Sequence, residues 1–222
     1  MHELPLHFRD GHLFTEVAGE LWLLDTGAPG SFGQSDEITV AGEQFSLADD
    51  YVGLDADSLS SLTGVRCAGL LGADVLGRFD HILNVQSGTL TISQNELTHD
   101  GHPVELTEFM GIPIIDARMG EEACRMIFDT GAQISYFQGD SLVSFPEAGV
   151  VTDFYPGVGE FETQTHSVPV VIGEVSLSVR CGRLPELLGL TLMMAGTQGI
   201  VGNEILLDRV VGYFPRRRVM VP

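Results

Sequence analysis

The feature of this sequence that most restricts its fold is a triplet that occurs twice. "LLDTGAPGSFG" (23–33) runs from Leu23 and Leu24 into Asp25, Thr26 and Gly27; "MIFDTGAQISYF" (126–137) runs from Ile127 and Phe128 into Asp129, Thr130 and Gly131. A carboxylate at the end of an apolar strand is costly, because burial disfavours its charged form. One such triplet is a common turn sequence, whereas two in matched surroundings mark an internal repeat.

The match continues in order through both halves. "HLFTEVAGELWLLDTGA" (12–28) parallels "PIIDARMGEEACRMIFDTGA" (113–132), each reading as a hairpin that ends on the triplet. "ITVAGEQFSL" (38–47) parallels "VPVVIGEVSLSV" (168–179). "GLLGADVLGRFDHILNVQSGTLTI" (69–92) parallels "GIVGNEILLDRVVGYFPRRRVMV" (199–221), two apolar residues and a glycine preceding a short helical stretch and a strand pair. Short β-type runs with frequent glycine turns predict an all-β architecture. It consists of two β-barrel-like lobes related by a pseudo-two-fold axis, with helices of one or two turns after Gly72 and Gly202. Residues 1–100 form the expected N-terminal lobe and 101–222 the C-terminal one, divided within the polar stretch 96–111. His99 and His102 in that stretch have no Cys or paired His beside them to complete a ligand set, and read as linker residues.

Composition narrows the partners. The chain has 222 residues, 44% hydrophobic and 19% charged, enough to bury a core. Eleven Lys plus Arg against 31 Asp plus Glu give a net charge of −20, which repels nucleic acid and anionic membranes, so neither is an expected partner. Apolar runs such as "LGLTLMMAG" are too short to cross a bilayer, and the start "MHELPLHFRDGH" lacks a secretory pattern. Cys67, Cys124 and Cys181 cannot all pair within one chain. A cytoplasmic monomer is expected. Arg216–Arg218, between "VVGYF" and "VMV", read as a hairpin turn.

If the pseudo-two-fold brings Asp25 and Asp129 together, both cannot ionise cheaply and one proton is shared. The ionised partner can take a proton from a water between them, and the protonated one can donate to a carbonyl oxygen as tetrahedral charge develops. Amide hydrolysis of this kind needs no metal and no cofactor. Thr26 and Thr130 can hydrogen-bond across the lobe interface, and Gly27 and Gly131 let backbone N–H groups approach the carboxylates.

The doubled Asp-Thr-Gly, each followed by an apolar-apolar-Gly motif ("LLG" 70–72, "IVG" 200–202), resembles the aspartic proteases of the pepsin and retropepsin type over nearly the whole chain. The resemblance implies that Asp25 and Asp129 are catalytic, that each lobe supplies one, and that the substrate is a peptide or protein. Ala28 and Ala132 after the triplets look like the retroviral form, so the chain resembles a fused retropepsin dimer. One departure stands out. Asp129 and Gly173 are 44 positions apart, but Asp25 and the matching Gly42 only 17, so the first lobe lacks a segment that the second retains. That segment contains "VVTDFYPGVGEFETQT" (150–165), which reads as a β-hairpin. By resemblance it is a single flap over substrate, with Gly157, Val158 and Gly159 near its tip and Tyr155 beside them. The expected activity is aspartic endopeptidase; the rival class is a catalytically inactive peptide-binding or regulatory protein on the same scaffold.

Overall fold

The computed structural model describes residues 1–222, apart from the side chains at 187 and 191. In the first half, β1 (His2–Arg9), β2 (His12–Val17), β3 (Glu20–Leu24) and β4 (Phe32–Gly33) lead to the hairpin of β5 (Glu37–Val40) and β6 (Glu43–Ser46). A minimal hairpin, β7 (Asp50–Tyr51) and β8 (Leu54–Asp55), precedes α1 (Ala56–Thr63). Then come β9 (Gly69–Leu71), α2 (Ala73–Leu76), β10 (Asp80–Asn84) and β11 (Thr89–Ser93). The second half repeats the plan with β12 (Val104–Phe109), β13 (Ile112–Met119), β14 (Glu122–Phe128) and β15 (Ser135–Phe137). Its long strands β16 (Glu147–Tyr155) and β17 (Gly159–Ile172) follow, then β18 (Val175–Gly182), α3 (Glu186–Met194), β19 (Gly199–Val201), β20 (Val210–Phe214) and β21 (Val219–Val221).

Local chemistry explains many of the hairpins. Asp10-Gly11, Ala18-Gly19, Ala41-Gly42, Val52-Gly53 and Met110-Gly111 each place two successive residues at positive φ, as the tight turns matched to strand twist require. In each half the apolar-apolar-Gly strand lies between the strand entering the Asp-Thr-Gly loop and the one leaving it. β9 runs parallel to β3, pairing Leu70 with Leu23, and antiparallel to β4. β19 runs parallel to β14, pairing Ile200 with Ile127, and antiparallel to β15. Only glycine fits where these strands cross: a Cβ on Gly69 would stand 2.1 Å from the Phe32 carbonyl oxygen, and one on Gly199 2.0 Å from that of Tyr136.

The halves join through one antiparallel sheet in the order β1-β11-β10-β20-β21-β12, whose centre is the β10–β20 pair, Leu83 opposite Val211. A continuous core runs through it, including Leu24, Leu83, Leu90, Phe128, Val211 and Tyr213. Asp80, fully buried at the start of β10, receives Arg216 at 3.1 Å and Arg217 at 2.7 Å. The basic cluster is thus a turn, as expected, and also ties the second half to the first.

Two expectations are corrected. The polar stretch is irregular only to residue 103; Val104–Phe109 is strand β12, paired with β13 and β21. Helix is not confined to α2 and the 3-10 turn Asn203–Leu206 that follow Gly72 and Gly202. α1 has its own caps: the Asp55 side chain accepts from the Ser58 N–H at 2.8 Å, and Gly64 closes the helix at positive φ. α3 comes from the apolar run read only as non-spanning, and among the described residues no helix is long and apolar enough to cross a membrane.

Candidate active site

The two Asp-Thr-Gly loops meet at the pseudo-two-fold axis. Each aspartate is held by the strand behind it: the Asp25 N–H donates to the Leu71 carbonyl at 3.0 Å and the Asp129 N–H to that of Val201 at 3.0 Å. Asp25 Oδ1 accepts from the N–H groups of Gly27 and Ala28, both at 2.9 Å. Asp129 Oδ1 accepts from those of Gly131 at 2.9 Å and Ala132 at 3.2 Å. Backbone donors therefore fix both carboxyl planes.

The threonines lock the loops to each other. Thr26 donates its hydroxyl to the Phe128 carbonyl at 2.6 Å and accepts from the Thr130 N–H at 3.0 Å. Thr130 returns both bonds, to the Leu24 carbonyl at 2.8 Å and from the Thr26 N–H at 3.1 Å. All four are buried and all cross between the halves. The glycines permit the approach: a Cβ on Gly27 would fall 2.3 Å from Asp129 Cγ, and one on Gly131 2.5 Å from Asp25 Cγ. Each carboxyl lies over the other loop's glycine.

Burial pushes both carboxyls above the ordinary range, Asp25 well above it, where the Asp129 charge adds to the effect. The charge of nearby Asp153 also pushes Asp129 upward. The backbone N–H groups pull the other way and lose to desolvation. Two carboxyls pressed together in such a setting cannot both ionise cheaply, so they titrate as a unit.

Above the pair lies a cavity of about 190 Å³. Its first-half wall is Leu23, Tyr51, Leu54, Leu59 and Leu70; its second-half wall includes Tyr136, Tyr155, Phe161, Leu184 and Leu188. The two satellite clusters of apolar side chains supply these walls, one from each half. Two carboxyls beneath an apolar cleft can polarise a carbonyl and activate water without competing solvent.

The hairpin of β16 and β17 reaches over this cavity, longer than the sequence segment suggested, with the Val158 N–H closing its turn on the Tyr155 carbonyl at 3.0 Å. Tyr155 and Pro156 line the cavity, while Val158 points outward and is 39% exposed. In the first half β4 passes into β5 within a few residues, with no hairpin between them. Instead the β7–β8 hairpin, inserted after β6, puts Tyr51 on the cavity wall and Val52 against the tip of the long hairpin, 3.2 Å from where a Gly157 Cβ would be.

Several residues of the site escaped the sequence reading. Tyr51 sits between the matched stretches 38–47 and 69–92, where the repeat comparison made no reading. Gln133 donates its side-chain amide to the Thr152 carbonyl at 2.9 Å, fastening the long hairpin to the loop after Asp129. His12, buried on β2, places Nδ1 3.2 Å from the Gly131 carbonyl. Asp153 is buried on the same face of β16 as Val151 and Tyr155. An acid on the inward face of an alternating strand is a signal the sequence did carry.

No protein-family model and no curated protein sequence matches this chain. Among solved structures it is similar to an aspartic proteinase from Irpex lacteus, with a TM-score of 0.57 and 13% identity over 99% of this chain and 96% of that one. The chain has the bilobal, mostly β fold of that pepsin-like neighbour.

Proposed function

We propose that the chain is an aspartic endopeptidase, hydrolysing peptide bonds with a water activated by Asp25 and Asp129. The observation that carries this reading is the reciprocal threonine exchange, which presses two desolvated carboxyls together over each other's glycines. A protein that only bound peptides would gain nothing from so costly a pair. The ionised carboxylate takes a proton from the attacking water, and the protonated one donates to the scissile carbonyl oxygen. The tetrahedral intermediate then collapses, with the leaving nitrogen protonated from the pair. The shared fold with an aspartic proteinase supports the reading at the level of scaffold.

Within that class we read a retropepsin-like pair fused in one chain with a single flap, β16–β17. Ala28 and Ala132 after the triplets and the direct β4–β5 connection support it. The substrate would lie extended between the halves, its side chains in the apolar walls. The test is to incubate the protein with a peptide library from acid to neutral pH and map the products. Internal cleavage insensitive to chelators is expected; binding without cleavage at every pH would favour the rival, a catalytically inactive peptide-binding protein.

A further inference from the structure

Next to the carboxyl pair, a third acid is buried without a cation. Asp153 is 7% exposed, and no ion pair among the described residues includes it. Its Oδ1 accepts from the Phe154 N–H at 2.8 Å, and its Oδ2 accepts from the hydroxyl of Tyr136, itself buried on β15 just beyond the Asp129 loop. His12, whose ring is 5.8 Å from that of Phe154, shares a cavity wall with Asp153. Asp153 contributes to the wall of the cavity over the pair and also to that of a second, more open cavity bounded by Asp10, His12, Gln133 and Glu160.

These contacts clamp two successive residues of β16 to the loop carrying Asp129, Thr152 through Gln133 and Asp153 through Tyr136. A neutral acceptor such as asparagine would take the Tyr136 bond at smaller desolvation cost. A carboxylate in its place therefore calls for a role for the charge. We propose that Asp153 is a positioning residue for the proposed hydrolysis: it fixes the long hairpin, close to its tip, to the strand leaving the Asp129 loop through Tyr136, and sets a negative charge beside Asp129. The inference rests on the endopeptidase reading. The charge opposes loss of the pair's shared proton, so the catalytically competent state persists to higher pH.

The groups around this arrangement define what else could titrate. Tyr136 from β15 and His12 from β2 face Asp153; Asp10 from the β1–β2 turn and Glu160 from β17 face it across the second cavity. Tyr51 and Tyr155 face the pair from the two hairpins. Burial pushes Tyr155 up to about 12, and it lowers His12 below its ordinary value.

The test compares kcat/KM against pH for the wild type, Asp153→Asn and Tyr136→Phe, together with the carboxyl-carbon NMR titration of Asp25 and Asp129 in 13C-aspartate-labelled protein. Asp153→Asn is expected to shift the alkaline limb, and the upper titration of the pair, toward acid by about half a pH unit or more. Tyr136→Phe keeps the charge, so it is expected to raise KM severalfold while the limb moves less. If Asp153→Asn does not fold, Asp153→Ser replaces it in both measurements. An unmoved limb in a variant that still cleaves overturns the inference and leaves the endopeptidase reading intact. If the wild type cleaves nothing, that reading fails, and an NMR titration unchanged by the substitution overturns the inference separately.

Discussion

Thr26 and Thr130 show how much a single side chain carries here. Each hydroxyl both donates to and accepts from the opposite half, and each is at most 2% exposed. Thr26→Ala strands the Thr130 N–H and the Phe128 carbonyl in a dry interface, so a loss of about 2–3 kcal/mol in chemical unfolding is expected, with most of it recovered by Thr26→Ser. The aspartates act in the opposite sense. Because both carboxyls are pushed up on folding, the native state binds more protons than the unfolded chain above the ordinary carboxylate range. Their contribution to stability is complete below that range and is lost as pH rises through their folded values. Asp25→Asn should therefore gain melting temperature relative to wild type, by a margin that widens as pH increases; a margin constant with pH would contradict shared-proton burial. The meeting of these residues was legible in the sequence because the triplet recurs in register with its neighbours. The approach of Asp153, Tyr136 and Tyr51 to the pair was not, since it depends on long-range pairings; for Asp153 only its place on the inward face of an alternating strand was readable.

At the scale of elements, the two hairpins over the cleft differ in kind. The long one was legible from its alternation and its Pro-Gly turn. The short one, β7–β8, was not, because two paired residues per strand leave no period to detect. Its turn puts the β-branched Val52 at φ 54°, a conformation that L-residues with branched side chains resist. Val52→Asn, better suited to that position, should stabilise the fold by about 1 kcal/mol while removing the contact with the tip of the long hairpin. Hydrogen exchange of residues 155–159 reports the second effect: faster exchange is expected in Val52→Asn, and unchanged exchange would mean that the tips do not restrain each other. The helices were missed for different reasons. α1 carried readable caps in Asp55 and Gly64 that the repeat comparison passed over. α3 is apolar nearly all round, so it shows almost no helical periodicity.

The whole molecule depends on the sheet that joins its halves. Asp80 is buried under two arginines from the far end of the chain, and Asp80→Ala, which removes both ion pairs and the acceptor of the Leu97 N–H, is expected to cost about 3 kcal/mol. Beside it, His81 is buried, donates Nε2–H to the Leu76 carbonyl at 2.7 Å and stacks on Tyr213 at 5.5 Å. Burial lowers it to about 4 from an ordinary value of 6.5. Its contribution is full above the ordinary value and is lost as pH falls toward 4, a term of about 3 kcal/mol. The junction therefore argues for mildly acid to neutral conditions. His81→Gln should flatten the melting temperature between pH 6.5 and 4, and an equally steep fall would place the acid sensitivity elsewhere. The junction was half legible: the strands were readable as repeats, but pairing across the axis was not, because β10 and β20 come from distant parts of the chain.

The central claim is that Asp25 and Asp129 act as one catalytic unit. It is tested most directly by kcat/KM on a mapped peptide substrate for wild type, Asp25→Asn and Asp129→Asn, each shown to be folded. Loss of about a thousandfold or more in each single variant is expected, since either substitution removes the acid–base partner of the other. Retention of near wild-type cleavage by either folded variant would contradict it.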